Sequence, residues 1–155
     1  MNLSSLELKI PPPLVGLCVA LLMWLASRTV APFEWPLVLR GIAGLSFVIV
    51  GVGFALAGVR SFARAQTTVN PTKPAATSSL VVTGIYRFTR NPMYLGMLLV
   101  LLGWAVYLAN AAAFLIVPLF VLYISRFQIV PEERVLSAKF GEAFAAYRAR
   151  VRRWL

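Results

Sequence analysis

From Met93 to Ile124 the chain runs about thirty residues without a charged side chain. A single crossing of a bilayer core takes roughly twenty apolar residues, so this run is long enough for a helix, a reversal and a second helix. Asn110, flanked by small alanines, is the natural point of reversal. The pattern predicts a hairpin of two rather short helices over 92–108 and 111–127, with Pro118 bending the second. Composition agrees: 60% of the 155 residues are apolar and 13% charged, far from the roughly 45–50% and 25% of soluble domains. The expected class is an all-α integral membrane protein, one membrane domain over 1–155.

Two earlier apolar runs, about 13–30 and 37–59, supply further spans and bring the expected total to four. A cleaved secretory signal is the rival reading of the first, because Thr29-Val30-Ala31 resembles a cleavage site. Its apolar core is long for a signal and its start barely basic, so a span is the better reading. In the second run Gly44, Gly51 and Gly58 recur every seven residues on one helix face, where another backbone can approach closely. Gly51-Val52-Gly53 also invites a cofactor reading. Without a preceding strand or a third glycine it is no dinucleotide fingerprint, and helix packing is preferred.

The net charge of +10 raises nucleic acid as a partner, and the placement of the charges argues against it. Arg60, Arg64, Lys73, Arg87 and Arg90 fall in one segment without an acid, expected as a cytoplasmic loop over 60–91. Arg126, Arg134, Lys139, Arg148, Arg150, Arg152 and Arg153 follow the last apolar run. Both groups then lie on one membrane side, as the positive-inside rule requires of an inner (plasma) membrane protein facing the cytoplasm, with anionic lipid as the nearer partner. Asn-Pro and Lys-Pro steps mark 66–79 as a loop, either a lid or a plain connector. Nothing in the sequence sets an oligomeric state.

There is no histidine, and Cys18 is the lone cysteine. Zinc chemistry of the His/Cys kind and His-based hydrolysis are therefore not expected, and no metal is. Any enzyme here runs on carboxylates, arginines, aromatics and a cofactor. Pro131-Glu132-Glu133 reads as a helix start, with carboxylates at the positive dipole end. Leu136, Phe140, Phe144 and Tyr147 follow at helical spacing, which predicts an amphipathic interfacial helix over 131–150. The ending from Arg148 to Leu155, with Trp154, reads as a headgroup-level anchor.

Chemistry concentrates where the cationic loop enters the third span, at Thr83 to Gly96. Arginine at the mouth of a membrane helix needs a partner for its charge. Pro92 suits the first helical turn, and a helix N-terminus favours an anion. Arg87, Arg90, Asn91 and Tyr94 stand before and inside the third span, and Arg126, Gln128, Glu132 and Glu133 after the fourth. If the intervening helices form a hairpin, the two groups meet. Arginine on a carboxylate, with glutamate on an ammonium or on ribose hydroxyls, could then hold an amino-acid-like ligand. Taken alone, Glu132-Glu133 are better read as first-turn acids favoured by the dipole.

The order Arg90-Asn91-Pro92-Met93-Tyr94-Leu95-Gly96, then Gly103-Trp104, then Glu132-Glu133, resembles the signature of the small integral membrane methyltransferases. That superfamily includes isoprenylcysteine carboxyl methyltransferases and phospholipid N-methyltransferases. The similarity runs from about residue 60 to the C-terminus, and the first two spans match in hydropathy alone. It implies S-adenosylmethionine as cofactor near the cytoplasmic face and a lipophilic acceptor, either a phospholipid amine or a prenylcysteine-like carboxylate. Tyr86, Arg90, Asn91, Pro92, Tyr94, Gly96, Glu132 and Glu133 are the implied cofactor-binding residues, with Arg90, Glu133 and Tyr94 carried over as catalytic. Asn91 stands where the prenylcysteine enzymes usually have histidine, and Gln128 where an arginine is expected. A noncatalytic basic membrane anchor and a membrane reductase of related topology are the alternative functions.

Overall fold

A computed structural model describes residues 7–66 and 78–155 of the chain. The expected lid over 66–79 lies almost wholly outside the described residues. The protein is helical, and among the described residues there is no strand. Five α-helices follow one another: α1 (Pro12–Ala26), α2 (Leu37–Arg64), α3 (Pro92–Leu108), α4 (Ala111–Ile124) and α5 (Val130–Arg150). A 3-10 turn, Gly84–Arg87, precedes α3. Two helices are long and apolar enough to cross a membrane, α2 and the continuous Ala111–Arg150 run that joins α4 to α5. The α1 and α3 helices are apolar but shorter, at 15 and 17 residues.

Prolines open α1 and α3 in their first turns, where no N–H is needed. Ala109, left-handed with φ 46°, ends α3. Asn110 then accepts the Ala112 N–H at 2.9 Å and caps α4. The expected hairpin is therefore present, with its turn where the sequence placed it.

The core lies between α1, α3 and α4. Val15, Val19 and Met23 of α1 meet Tyr94, Leu101 and Ala105 of α3 and Ala113, Val117, Phe120 and Ile124 of α4. Trp104 ties α3 to α1 through its indole N–H on the Ala20 carbonyl at 3.1 Å. Meanwhile α2 lies along the outside of α3 and buries only Gly44, Gly51 and Gly58. A Cβ on Gly51 would stand 2.5 Å from the Gly96 carbonyl oxygen, and one on Gly44 would stand 2.9 Å from that of Gly103. The seven-residue glycine spacing is thus a backbone-to-backbone helix contact, and nothing stands within 4 Å of a Cβ built on Gly53.

Gly58 meets Pro92 and Met93 while Gly44 meets Gly103, so α2 and α3 run antiparallel. Ile10 bonds Gln128 and Ser27 bonds Asn110, so α1 and α4 are antiparallel too. One end of the bundle therefore gathers the start of α1, the end of α2, the start of α3 and the end of α4. Among the described residues, Arg28 and Arg40 are the basic side chains left at the other end.

Two expectations about the C-terminal third need correction. No new helix starts at Pro131, because α4 passes through a π-helical turn, Ser125–Ile129, directly into α5. Pro131 has no N–H to give to the Phe127 carbonyl, and the Leu8 N–H reaches that oxygen at 3.0 Å. Nor is 131–150 one continuous amphipathic helix, since Gly141 (φ 49°, ψ −122°) breaks it in two. The predicted face still turns inward in pieces: Phe144 and Tyr147 are buried with Val81, Tyr86 and Val151, and Leu136 and Phe140 pack against them.

Candidate functional site

The basic end brings the two polar groups together. Arg90, at the corner before α3, places Nη2 2.7 Å from Glu133 Oε1. Tyr94, one turn into α3, donates its hydroxyl to Glu132 Oε1 at 2.5 Å. Residues about forty positions apart in sequence are thus joined by two direct contacts. This happens because the hairpin returns the end of α4 to the start of α3, and the π turn carries the helix on until both acids face that corner.

The tail wraps this corner. Arg90 Nη1 donates to the carbonyls of Val151 (2.9 Å) and Arg148 (3.2 Å), and its backbone N–H to Arg152 at 3.0 Å. Asn91 Nδ2 and Thr89 Oγ1 donate to the Arg153 carbonyl at 2.9 and 3.3 Å. Arg153 itself reaches Glu133 Oε2 at 2.7 Å. Arg153, which the sequence offers only as one of four tail arginines, is therefore a second partner of Glu133. Its sole signal is its place after Tyr147 in a chain short of acids. Trp154, read as a surface anchor, packs against the core.

Both acids stand beyond the apolar stretch of α4, and their environments push them in opposite directions. Glu133 is buried, which alone would raise its pKa, but the hydrogen bonds and charges of Arg153 and Arg90 hold it below the usual carboxylate range. For Glu132, desolvation dominates. It pushes the carboxyl up to about 8, the Tyr94 hydrogen bond opposes the rise and the Glu133 charge adds to it. Two adjacent acids, Glu133 buried and held ionised by two arginines and Glu132 half-buried and ready to take a proton near neutrality, make an arrangement found at reactive sites more than at structural ones.

The remaining predicted residues sit differently. Tyr86 packs edge-on against Phe62 and receives the Tyr147 hydroxyl on its carbonyl at 2.7 Å. Pro92 is fully buried, and Gly96 is pressed against Gly51 of α2. These three shape the wall on which the corner rests, and the polar contacts come from Arg90, Asn91, Tyr94, Glu132 and Glu133. Arg126, expected beside the acids, instead pairs with Glu7 at 2.7 Å, and Arg134 reaches the same carboxylate at 3.1 Å. Gln128 is fully buried and donates Nε2 to the Ile10 carbonyl at 2.7 Å, while its Oε1 has no partner among the described residues. Arg90 Nε is likewise buried and, among the described residues, unpaired. Such orphaned atoms are rare in native interiors and mark places where something else completes the set.

The sequence profile of the phospholipid methyltransferase family matches residues 39–143. That stretch holds α2, α3, α4 and the acids. A curated, uncharacterized protein of Haemophilus influenzae is 49% identical over 63 residues, which are 41% of this chain and the whole of that protein. No solved structure matches.

Proposed function

Because the chain belongs to the phospholipid methyltransferase family, we propose that it is an S-adenosylmethionine-dependent membrane methyltransferase acting on a lipophilic acceptor, a phospholipid amine or a prenylcysteine-like carboxylate. The single observation that carries the reading is the Tyr94–Glu132 hydrogen bond beside the Arg90–Glu133 ion pair. In this reading the whole chain is one membrane domain with four crossings, α1 and α3 being the short ones. The site faces the cytoplasm at the inner membrane, which the clustering of basic residues at its end of the bundle supports.

The residues fit such a cofactor. A sulfonium with an amino-acid tail needs acceptors for its cations and donors for its carboxylate, and the corner offers the second oxygen of Glu132 as an acceptor and Arg90 Nε, unpaired among the described residues, as a donor. When bound, the cofactor would supply a sulfonium methyl group that an acceptor lone pair attacks in line, the S–CH3 bond breaking and the sulfur leaving as a neutral thioether. Positioning and exclusion of water are then the protein's main tasks.

Arg90, Glu133 and Arg153 form the frame, an ion triad locked to the tail carbonyls. Tyr94 holds Glu132 in place, and Tyr86, Pro92 and Gly96 fix the backbone behind them. Asn91 anchors the corner to Arg153. A carboxylate acceptor arrives ionised and asks for no base. An ammonium must first lose a proton, and Glu132, with its pKa near 8, is better matched to take it at Oε2 than Glu133, which two arginines keep ionised. Incubating purified protein with methyl-labelled S-adenosylmethionine and a total lipid extract should place label in one lipid class. Folded protein that labels nothing and shows no heat of binding with the cofactor would sink the reading.

A further inference from the structure

Ahead of α1, residues 7–10 lie across the π turn and hold it at three points. The Leu8 N–H occupies the Phe127 carbonyl that Pro131 leaves without its helical donor, and the Ile10 carbonyl takes Nε2 of Gln128. Glu7 joins the two flanks of the turn. Its Oε1 accepts from Arg126 Nη1 at 2.7 Å inside the turn, and its Oε2 from Arg134 Nη1 at 3.1 Å beyond it. Leu8 is left-handed, with φ 59°, a conformation that leucine rarely adopts, so its contacts and not its local preference keep this strap in place.

The Glu7 bridge is sensitive to helical register. Arg126 and Arg134 are eight positions apart, and on a regular α-helix that many steps overshoot two full turns by about 80°. A π turn absorbs one extra residue, which leaves seven effective steps and brings the two arginines to within about 20° of one face. One carboxylate spans both only while the extra residue stays in the turn. Were the turn to relax to regular helix, α5 would rotate by about 100° against α4, carrying Glu132 off the Tyr94 hydroxyl and Glu133 off Arg90. We infer that Glu7 is a positioning residue, the centre of a clamp that keeps the π turn wound so that both acids face the corner before α3. It acts through the helix and touches neither cofactor nor acceptor. The clamp follows from these contacts alone, and only the use of the register in cofactor binding rests on the methyltransferase reading.

The test uses the full-length, detergent-purified chain carrying Cys18→Ser and spin labels on Phe88→Cys and Ala138→Cys, both exposed positions. With the strap intact the labels should report one distance. Glu7→Ala combined with Leu8→Pro removes the carboxylate, the N–H and the positive φ while leaving the core residues in place. It should add a second distance, displaced by roughly 8 Å, the chord of such a rotation at the helix's side-chain radius. Arg134→Gln, at a side chain 66% exposed and so free of any packing role, should populate the same second distance to a lesser degree, and Arg134→Lys should restore the single one. This pair decides the matter if the double variant does not fold. In calorimetry on the unlabelled chain the double variant should bind S-adenosylmethionine about tenfold more weakly. One unchanged distance in folded variants overturns the clamp, even if stability falls, and makes the strap ordinary packing. A second distance with cofactor affinity equal to wild type overturns the positioning role. If the distances shift but wild type never binds S-adenosylmethionine, the clamp stands and the methyltransferase reading fails.

Discussion

At the far end of the bundle Asn110 is fully buried and every polar atom of its side chain is used, whereas at the basic end Gln128 is just as buried and leaves its carbonyl oxygen idle. Asn110 caps α4 and donates to the carbonyls of Val30 (2.6 Å) and Ser27 (3.3 Å), so one amide closes both loops there. Phe33 adds a backbone bond to Ala109 at 2.6 Å. Arg90, at the basic end, spends two of its nitrogens on the frame and keeps Nε unpaired. Leaving a buried polar atom unpaired costs about 1–3 kcal/mol. A chain that satisfies the buried amide of Asn110 fully at one end and leaves that of Gln128 half-satisfied at the other points to polar groups that hold the fold and polar groups that await a ligand. Arg40 Nε, near the start of α2, is an idle atom on the wrong side of that division, and nothing nearby gives it a ligand role.

The strongest way to break the comparison is Arg90→Ala. Removing one partner of a buried ion pair leaves Glu133 leaning on Arg153 alone and costs about 3–5 kcal/mol. Denaturant titration in detergent should show that loss, and calorimetry should show no cofactor binding. Glu133→Gln keeps the shape and serves where Arg90→Ala does not fold, with the same loss of binding expected. Next comes Asn110→Ala, which removes a cap and two carbonyl partners and should cost about 2 kcal/mol. Cofactor affinity should not move. If it falls as far as in Arg90→Ala, the two ends are one cooperative unit and the division between them is false.

How much of this was legible in the sequence follows the same division. The hairpin, Asn110 at its turn, and the glycine face of α2 were readable because each depends on local spacing and small residues. The meeting of Arg90 and Tyr94 with Glu132 and Glu133 was readable because a hairpin has only one way to return. What was not readable depends on chain paths with no local signature. The tail folds back to put Arg153 on Glu133, and the segment before α1 straps across the π turn to take Arg126 and Gln128. The π turn hid behind Pro131, whose sequence signal is the same whether a helix starts there or continues past a defect. Gly141 broke the predicted amphipathic helix because a lone glycine in a helical pattern is as often tolerated as not.

A smaller effect sharpens the comparison through pH. Burial raises the Glu132 carboxyl from 4.5 to about 8, so below that value the folded, ligand-free site holds a proton that a cationic ligand must displace. Cofactor affinity should therefore rise as pH approaches about 8 from below, by up to roughly tenfold per unit, and level off above it. The stability of the ligand-free protein should move the opposite way. A group raised on folding stabilises fully below 4.5, and that contribution is lost as pH climbs through 8. Glu132→Gln should flatten both slopes. Asn110→Ala, with nothing to titrate, should leave them intact, and equal slopes in Glu132→Gln and wild type would remove Glu132 from the site.

The smallest change in stability is expected where the comparison is most direct, at Gln128→Met. The substitution keeps the volume near that of the amide, and it removes one hydrogen bond to Ile10 together with the idle acceptor. Those two losses oppose each other: a hydrogen bond contributes about 1 kcal/mol net, and an unpaired buried oxygen costs a similar amount, so the fold should change by less than about 1 kcal/mol. Binding should not be spared. If Oε1 waits for a donor on the ligand, its removal should weaken S-adenosylmethionine by roughly tenfold to a hundredfold, the loss of one hydrogen bond to a charged group. An unchanged affinity together with a gain in stability would instead make Gln128 a plain defect of the π turn, and the basic end would then rest on Glu132 and Arg90 alone.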